Sequence, residues 1–110
     1  MSLERLYKAL TSLGLSESEV KVYFYIATKG PTFARDIIND LPIKYRKIYR
    51  ILDKLRTKGI IFVNGNKPSE LSVLPFEDVL NMLIKQKEEQ AQEIIKRKKE
   101  LVNNWKKRNN

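Results

Sequence analysis

The sequence predicts a mainly helical chain with one small β-ribbon near its middle and a single long helix at its end. Three observations carry that expectation. Apolar residues recur at helical spacing over most of the chain. A cluster of β-branched and aromatic residues runs into Asn64-Gly65, a strong tight-turn signal. From Phe76 onward there is neither glycine nor proline. With 110 residues there is room for one domain and perhaps one further element.

The first helix follows from Leu3, Leu6, Tyr7, Leu10 and Leu13, a stripe that stops at Gly14, the expected place of a left-handed C-terminal cap. Ser16-Glu17-Ser18-Glu19 then fits a capping box, in which the Ser16 hydroxyl accepts from the Glu19 amide and the Glu19 carboxylate reaches back. Leu15 and Val20 occupy the positions of a hydrophobic staple around it. The second helix runs through Val20, Tyr23, Phe24 and Ala27 to a stop at Gly30. After Pro31, Thr32 is read as the N-cap of a short third helix with Phe33, Ala34, Ile37 and Ile38 inward, and Asn39-Asp40-Leu41-Pro42 breaks it. The fourth helix begins near Ile43 or Lys44 and ends at Gly59.

A change of period follows. Ile60-Ile61-Phe62-Val63 reads as one strand and Glu70 to Leu74 as a half-buried second strand, with a protruding loop between them. Pro68 keeps its end of the ribbon out of central pairing. Pro75 opens the last helix, with Glu77 and Asp78 in its first turn, where the positive helix end favours acids. It is expected to run to about Arg108. The order is four helices, a hairpin and a long helix, the plan of a winged helix-turn-helix: residues 1–75 form the domain and residues 76–110 a long C-terminal helix.

Charge is distributed as unevenly as the secondary structure. The formal net charge is +9. Residues 44–58 hold seven bases against one acid, and residues 85–110 hold nine against four, while 1–43 are balanced and 59–84 slightly acidic. Within 44–58, Ile48, Ile51, Leu52 and Leu55 recur at one-face spacing. Arg46 and Arg50 point nearly opposite, with Lys47, Lys54 and Tyr49 at the flanks. A helix that buries one side and crowds cations on the other is suited to a polyanion, so this is read as the recognition helix of a double-stranded DNA-binding protein.

The residues carry a resemblance as well. Leu13-Gly14-Leu15, Glu19, Lys21-Val22-Tyr23, Gly30-Pro31, Lys47-Ile48-Tyr49 and Lys58-Gly59 resemble, in order and spacing, the N-terminal domain of TrmB-like transcriptional regulators, a largely archaeal group. The likeness covers roughly residues 10–85. It implies a winged helix-turn-helix and a role in transcription. Longer members carry a sugar-binding effector domain for which this chain has no room, so no sugar sensing is carried over. Where the family often has Gly-Ile-Pro-Arg before the recognition helix, this chain has Pro42-Ile43-Lys44-Tyr45.

The candidate DNA contacts are Thr32, Arg35, Lys44, Tyr45, Arg46, Lys47, Tyr49, Arg50, Lys54 and Lys67. Arg46, Lys47 and Arg50 are placed to reach bases or nearby phosphates, and Lys54 and Lys58 to meet phosphate or solvent. Tyr45 falls near the buried face, so a core ring with a wet hydroxyl competes with DNA contact there. For Tyr49, a position at the core boundary competes with a phosphate hydrogen bond. Thr32 and Arg35 suit a phosphate at the third helix's start, although capping alone explains Thr32. Lys67, in the wing loop, suits a backbone contact, with Asn64 and Asn66 behind it.

The last helix carries Leu80, Leu83, Ile84, Ala91, Ile94, Ile95, Leu101, Val102 and Trp105 along one side, broken by Lys87, Gln90 and Lys98. A helix of that length spans roughly 50 Å, far more than a small domain needs. Its distal half is expected to pair with a second copy as a coiled coil, parallel or antiparallel.

Other classes are excluded by what is missing. Without cysteine or histidine there are no disulfides, zinc fingers, thiol chemistry or histidine bases. No glycine-rich phosphate loop, metal-ligand cluster or catalytic constellation is legible, so the chain is read as no enzyme, with no cofactor and no metal. No apolar run reaches the roughly 18–20 residues of a membrane span, and no signal peptide is seen. The expectation is a cytoplasmic, nucleoid-associated homodimer that regulates transcription at specific DNA sequences, with a DNA-coating protein and a protein-docking module as alternatives. No effector ligand is indicated.

Overall fold

The computed structural model describes residues 3–65 and 68–109. The elements follow in the order α1 (Leu3–Ser12), α2 (Glu17–Lys29), β1 (Thr32–Phe33), α3 (Ala34–Asp40), α4 (Tyr45–Thr57), β2 (Ile61–Asn64), β3 (Glu70–Val73) and α5 (Phe76–Arg108). This is a mainly helical winged helix with a small antiparallel sheet and a long C-terminal helix.

α2 starts where the capping box is expected. The Glu19 amide donates to Ser16 Oγ at 3.1 Å, and the Ser16 amide donates to Glu19 Oε1 at 2.8 Å. It stops at Gly30, whose φ of 82° is open to glycine and strained for other residues. α1, α4 and β3 all pack against α2. More than one stripe of α2 is therefore covered. Val20, Val22, Tyr23 and Ile26 are buried, and Ala27, expected inward, is exposed because Ile26 takes the inward position.

The same core takes Leu10 from α1, Ile37 from α3, Ile48, Ile51, Leu52 and Leu55 from α4, Ile60 and Ile61 around the start of β2, and Leu71 from β3. Phe24 joins three helices: its ring lies 5.2 Å from Tyr7 and 6.0 Å from Phe76, centroid to centroid. The Tyr23 hydroxyl donates to the Leu74 carbonyl at 2.8 Å, tying α2 to the strand end that leads into α5. Burial, and then the nearby Asp78 carboxylate, push that phenol up to about 12. Tyr23→Phe leaves a carbonyl without its donor and is expected to cost about 1 kcal/mol. Urea denaturation reads this as a lower midpoint at unchanged slope, and an unchanged midpoint would show that the bond adds nothing.

The hairpin is part of a three-stranded sheet of order β1-β3-β2. β2 pairs with β3 from Ile61↔Val73 to Asn64↔Glu70, and β1 adds Thr32↔Leu71 and Phe33↔Glu70 on the other side. The extra strand corrects the reading of Thr32. It lies in β1, the N-cap of α3 is Phe33, and the Thr32 hydroxyl donates to Asp36 Oδ2 at 3.3 Å. Asp36 reaches back to the helix start, since the Phe33 amide points at the same oxygen at 3.4 Å. Two residues beside a proline are too short to show alternation, so β1 was not foreseeable by period.

α5 belongs to the domain for its first two turns. Val79 and Leu83 are buried, and Phe76, Leu80 and Met82 pack against the core. Leu83, expected at a dimer face, is 3% exposed and is a core residue of its own protomer. From Ile84 to the helix end every residue is exposed, on a molecule measuring 58 × 32 × 26 Å. No helix among the described residues is long and apolar enough to cross a membrane.

Candidate nucleic-acid interface

α4 has only one side to bury. Its four apolar residues face α2, α3 and β2, and the opposite side is left open. Lys44, Arg46, Lys47, Arg50 and Lys54 are exposed there. Among the described residues, no carboxylate lies within ion-pair distance of these five. An unpaired row of cations at this density is held together only by α4's burial on the other side, and a polyanion relieves its mutual repulsion.

Two further cations of the same stretch are paired. Arg56 Nη2 is 2.8 Å from Asp53 Oδ1, an exposed pair of modest worth. Lys58 Nζ lies 3.6 Å from Glu19 Oε2, which is buried, so this lysine fixes the end of α4 to the start of α2 and does not join the outward face. Burial pushes the Glu19 carboxyl up. The Ser16 amide and hydroxyl and the charges of Lys58 and Lys54 outweigh it, so the carboxyl titrates below its ordinary 4.5.

A depressed carboxyl stabilises the fold at pH values above 4.5 and loses that contribution as the pH falls through its folded value. Glu19→Gln is expected to cost about 1 kcal/mol at neutral pH, because the partly exposed Lys58 loses its charge partner and the bond from the Ser16 amide loses its charge assistance. Thermal melts should show the wild type approaching the variant as pH drops from about 5 to about 3. A gap constant over that range would contradict the role given to Glu19.

Tyr45 requires a correction. It is 54% exposed and not in the core. Leu41 and Ile43, in the loop before α4, pack against the core, and the first buried residue of α4 is Ile48. The Tyr45 ring instead lies beside Arg46: the guanidinium is 5.9 Å from the ring centroid, and Arg46 Nε donates to the Tyr45 hydroxyl at 3.3 Å. Tyr49 is equally open, on the side facing the sheet.

Between α3, α4 and the wing runs an open groove of about 500 Å³. Leu52, Ile61 and Leu71 lie along it, with Tyr49 and Arg35 at its edges. Arg35 is exposed and stands over the Phe33 ring at 5.6 Å. Thr32, in contrast, is 7% exposed and its hydroxyl is engaged by Asp36, so the structure does not bring it to this surface. In the wing, Asn64 Nδ2 donates to Ser72 Oγ at 3.2 Å across the hairpin. Lys67 and Asn66 lie outside the described residues. Phe62 and Val63 are exposed apolar wing residues that were not singled out as site candidates. The signal was there: once Ile61 is inward, strand alternation turns Phe62 outward.

A second open surface is apolar. On α5, Ile84, Ile94, Ile95, Leu101, Val102 and Trp105 are all exposed, Ile94 to 61% and Trp105 to 66%. Ala91, on the same side, is exposed too. Among the described residues no group of acidic side chains is placed to hold a metal ion.

The family model for the sugar-specific transcriptional regulator TrmB matches residues 10–77, from the end of α1 through the helix-turn-helix and wing into α5. The chain belongs to the TrmB family. This TrmB-family chain is a transcriptional regulator and not an enzyme. No curated protein gives a match. Two solved structures share the fold. One is described as a MarR family transcription regulator, 16% identical, with a TM-score of 0.59 over 96% of this chain and 74% of that one. The other is a MarR-like transcriptional regulator from Thermotoga maritima, 14% identical, with a TM-score of 0.54 over 98% and 94%.

Proposed function

We propose that this TrmB-family regulator binds double-stranded DNA at specific sequences, as a homodimer, at the nucleoid in the cytoplasm. The observation that carries the reading is the outward row Lys44, Arg46, Lys47, Arg50 and Lys54 on a helix whose other side is buried. α4 enters the major groove, where Arg46 and Arg50 meet base edges and the lysines meet phosphate. Arg35 and Tyr49, beside the groove toward the wing, take the adjoining backbone, and Tyr45 holds Arg46. The exposed apolar side of α5 is covered by the second copy, which gives two recognition helices for a two-part operator. The family name speaks of sugar, and no sugar is assigned to this chain.

One titration tests the specificity. Arg46→Ala removes one arginine–guanine pair from each half-site and should weaken binding to the operator by about 30-fold or more, at about 1–3 kcal/mol per pair, and leave random DNA nearly unchanged. Equal losses on both would make the protein a DNA coat. No binding of either DNA at about 50 mM salt, where phosphate contacts are strong, would make the basic face a dock for an acidic protein.

A further inference from the structure

The long helix holds a stricter repeat than its apolar stripe suggests. Leu80, Ile84, Ala91, Ile94, Leu101 and Trp105, together with Lys87 and Lys98, alternate at intervals of four and three residues, the repeat of a two-helix seam. Leu80 is half-buried on the domain, and the others are exposed. Charge along the helix is polarised as well: residues 76–93 hold two bases and five acids, and residues 94–110 hold seven bases and one acid.

We infer that two copies of this chain pair their α5 helices antiparallel, with the centre of the pair between Ala91 and Ile94. The inference rests on the dimer reading above and adds its orientation and register. Parallel pairing lays the two strongly basic distal halves side by side. Antiparallel pairing lays each against the partner's acidic proximal half, a preference that salt weakens.

The register follows from the seam. Centred there, Ala91 faces the partner's Ile94, Ile84 faces the partner's Leu101, and Leu80 faces the partner's Trp105, so every apolar seam residue meets another. Outside the seam, Glu88, Glu89 and Glu93 lie on the stretch of helix that runs alongside the partner's Lys96, the partner's Arg97 and the partner's Lys99, whereas parallel pairing sets each stretch beside its own copy. The seam lysines do not decide, because Lys87 and Lys98 stand level with a lysine in either orientation. The Lys87 ammonium is in any case turned to its own domain, beside Gly14. Within one helix Arg97 reaches Glu93 only at 4.0 Å, an exposed and loose pair that leaves the guanidinium open to a second acid.

The arrangement has a consequence for DNA. Val79 and Leu83 anchor the domain to α5. Their midpoint lies about 11–12 residues from the pair centre, so at 1.5 Å per residue the two anchor points stand about 35 Å apart. That is one turn of B-DNA, the separation of successive major grooves on one face.

Because the chain has no cysteine, introduced thiols report the orientation cleanly. Full-length Ile84→Cys and Leu101→Cys proteins would be oxidised separately and after refolding together, and the products read on a non-reducing gel beside sedimentation of the untreated samples. Cross-linked dimer is expected only in the mixture. Cross-linking of Leu101→Cys alone would overturn the antiparallel orientation and leave the dimer standing. Dimers by sedimentation with no cross-link in any sample would overturn the register, and monomers by sedimentation would overturn the dimer reading itself.

Discussion

Replacing Arg46 and Arg50 together by alanine is expected to lower operator affinity roughly a thousandfold or more, with the fold intact. A good arginine–guanine pair is worth about 1–3 kcal/mol, and a dimer loses four guanidiniums at once. Both side chains are exposed and neither is held by a carboxylate among the described residues, so the protein core loses nothing. The thermal midpoint should stay within the range of an ordinary surface change, about 0.5 kcal/mol. Fluorescence anisotropy on operator DNA, with a circular-dichroism melt of the same sample, separates the two effects. Unchanged affinity in the double variant would remove α4 from the interface.

Ile94→Asp combined with Leu101→Asp is expected to convert the dimer to monomer at micromolar concentration. Each isoleucine or leucine buried on association is worth about 1.5–3 kcal/mol, and the pair of helices contributes four of them. Placing carboxylates there adds a desolvation penalty. Both positions are exposed in the single chain, so the winged domain itself should melt as before. Operator affinity falls with the dimer, because one recognition helix then binds without its twin. Sedimentation equilibrium reads the mass directly, and a dimer that survives both substitutions would move the self-association surface elsewhere.

Much of this architecture was legible because local signals agreed with the global fold. The capping box at Ser16 and Glu19, the glycine stop at residue 30, the Asn64-Gly65 turn and the unbroken run after Pro75 each fix an element boundary by backbone chemistry that tertiary packing does not override. The amphipathic face of α4 was equally plain, since Ile48, Ile51, Leu52 and Leu55 leave no second way to orient the helix. The misreadings share a cause: each position depended on a neighbour distant in sequence. Val22 is buried and Ala27 is not because α1, α4 and β3 together cover α2 in a way its own period does not reveal. Thr32 joined a strand through Leu71, almost forty residues on. Tyr45 is open because the preceding loop supplies its own apolar residues to the core, and Leu83 turned inward because α5 begins inside the domain that it leaves. At the interface, the sequence marked the cations but could not separate the outward row from Lys58, whose partner Glu19 lies on another helix.

The salt dependence of operator binding by the unaltered protein tests the central claim most directly. With an outward row of five cations per chain, plus Arg35, affinity should fall steeply with salt. On log–log axes the slope is about −0.9 for each phosphate neutralised, and several phosphates per half-site are expected. A slope near zero would contradict the assignment, because an α4 that binds DNA through its basic face must release the ions it displaces.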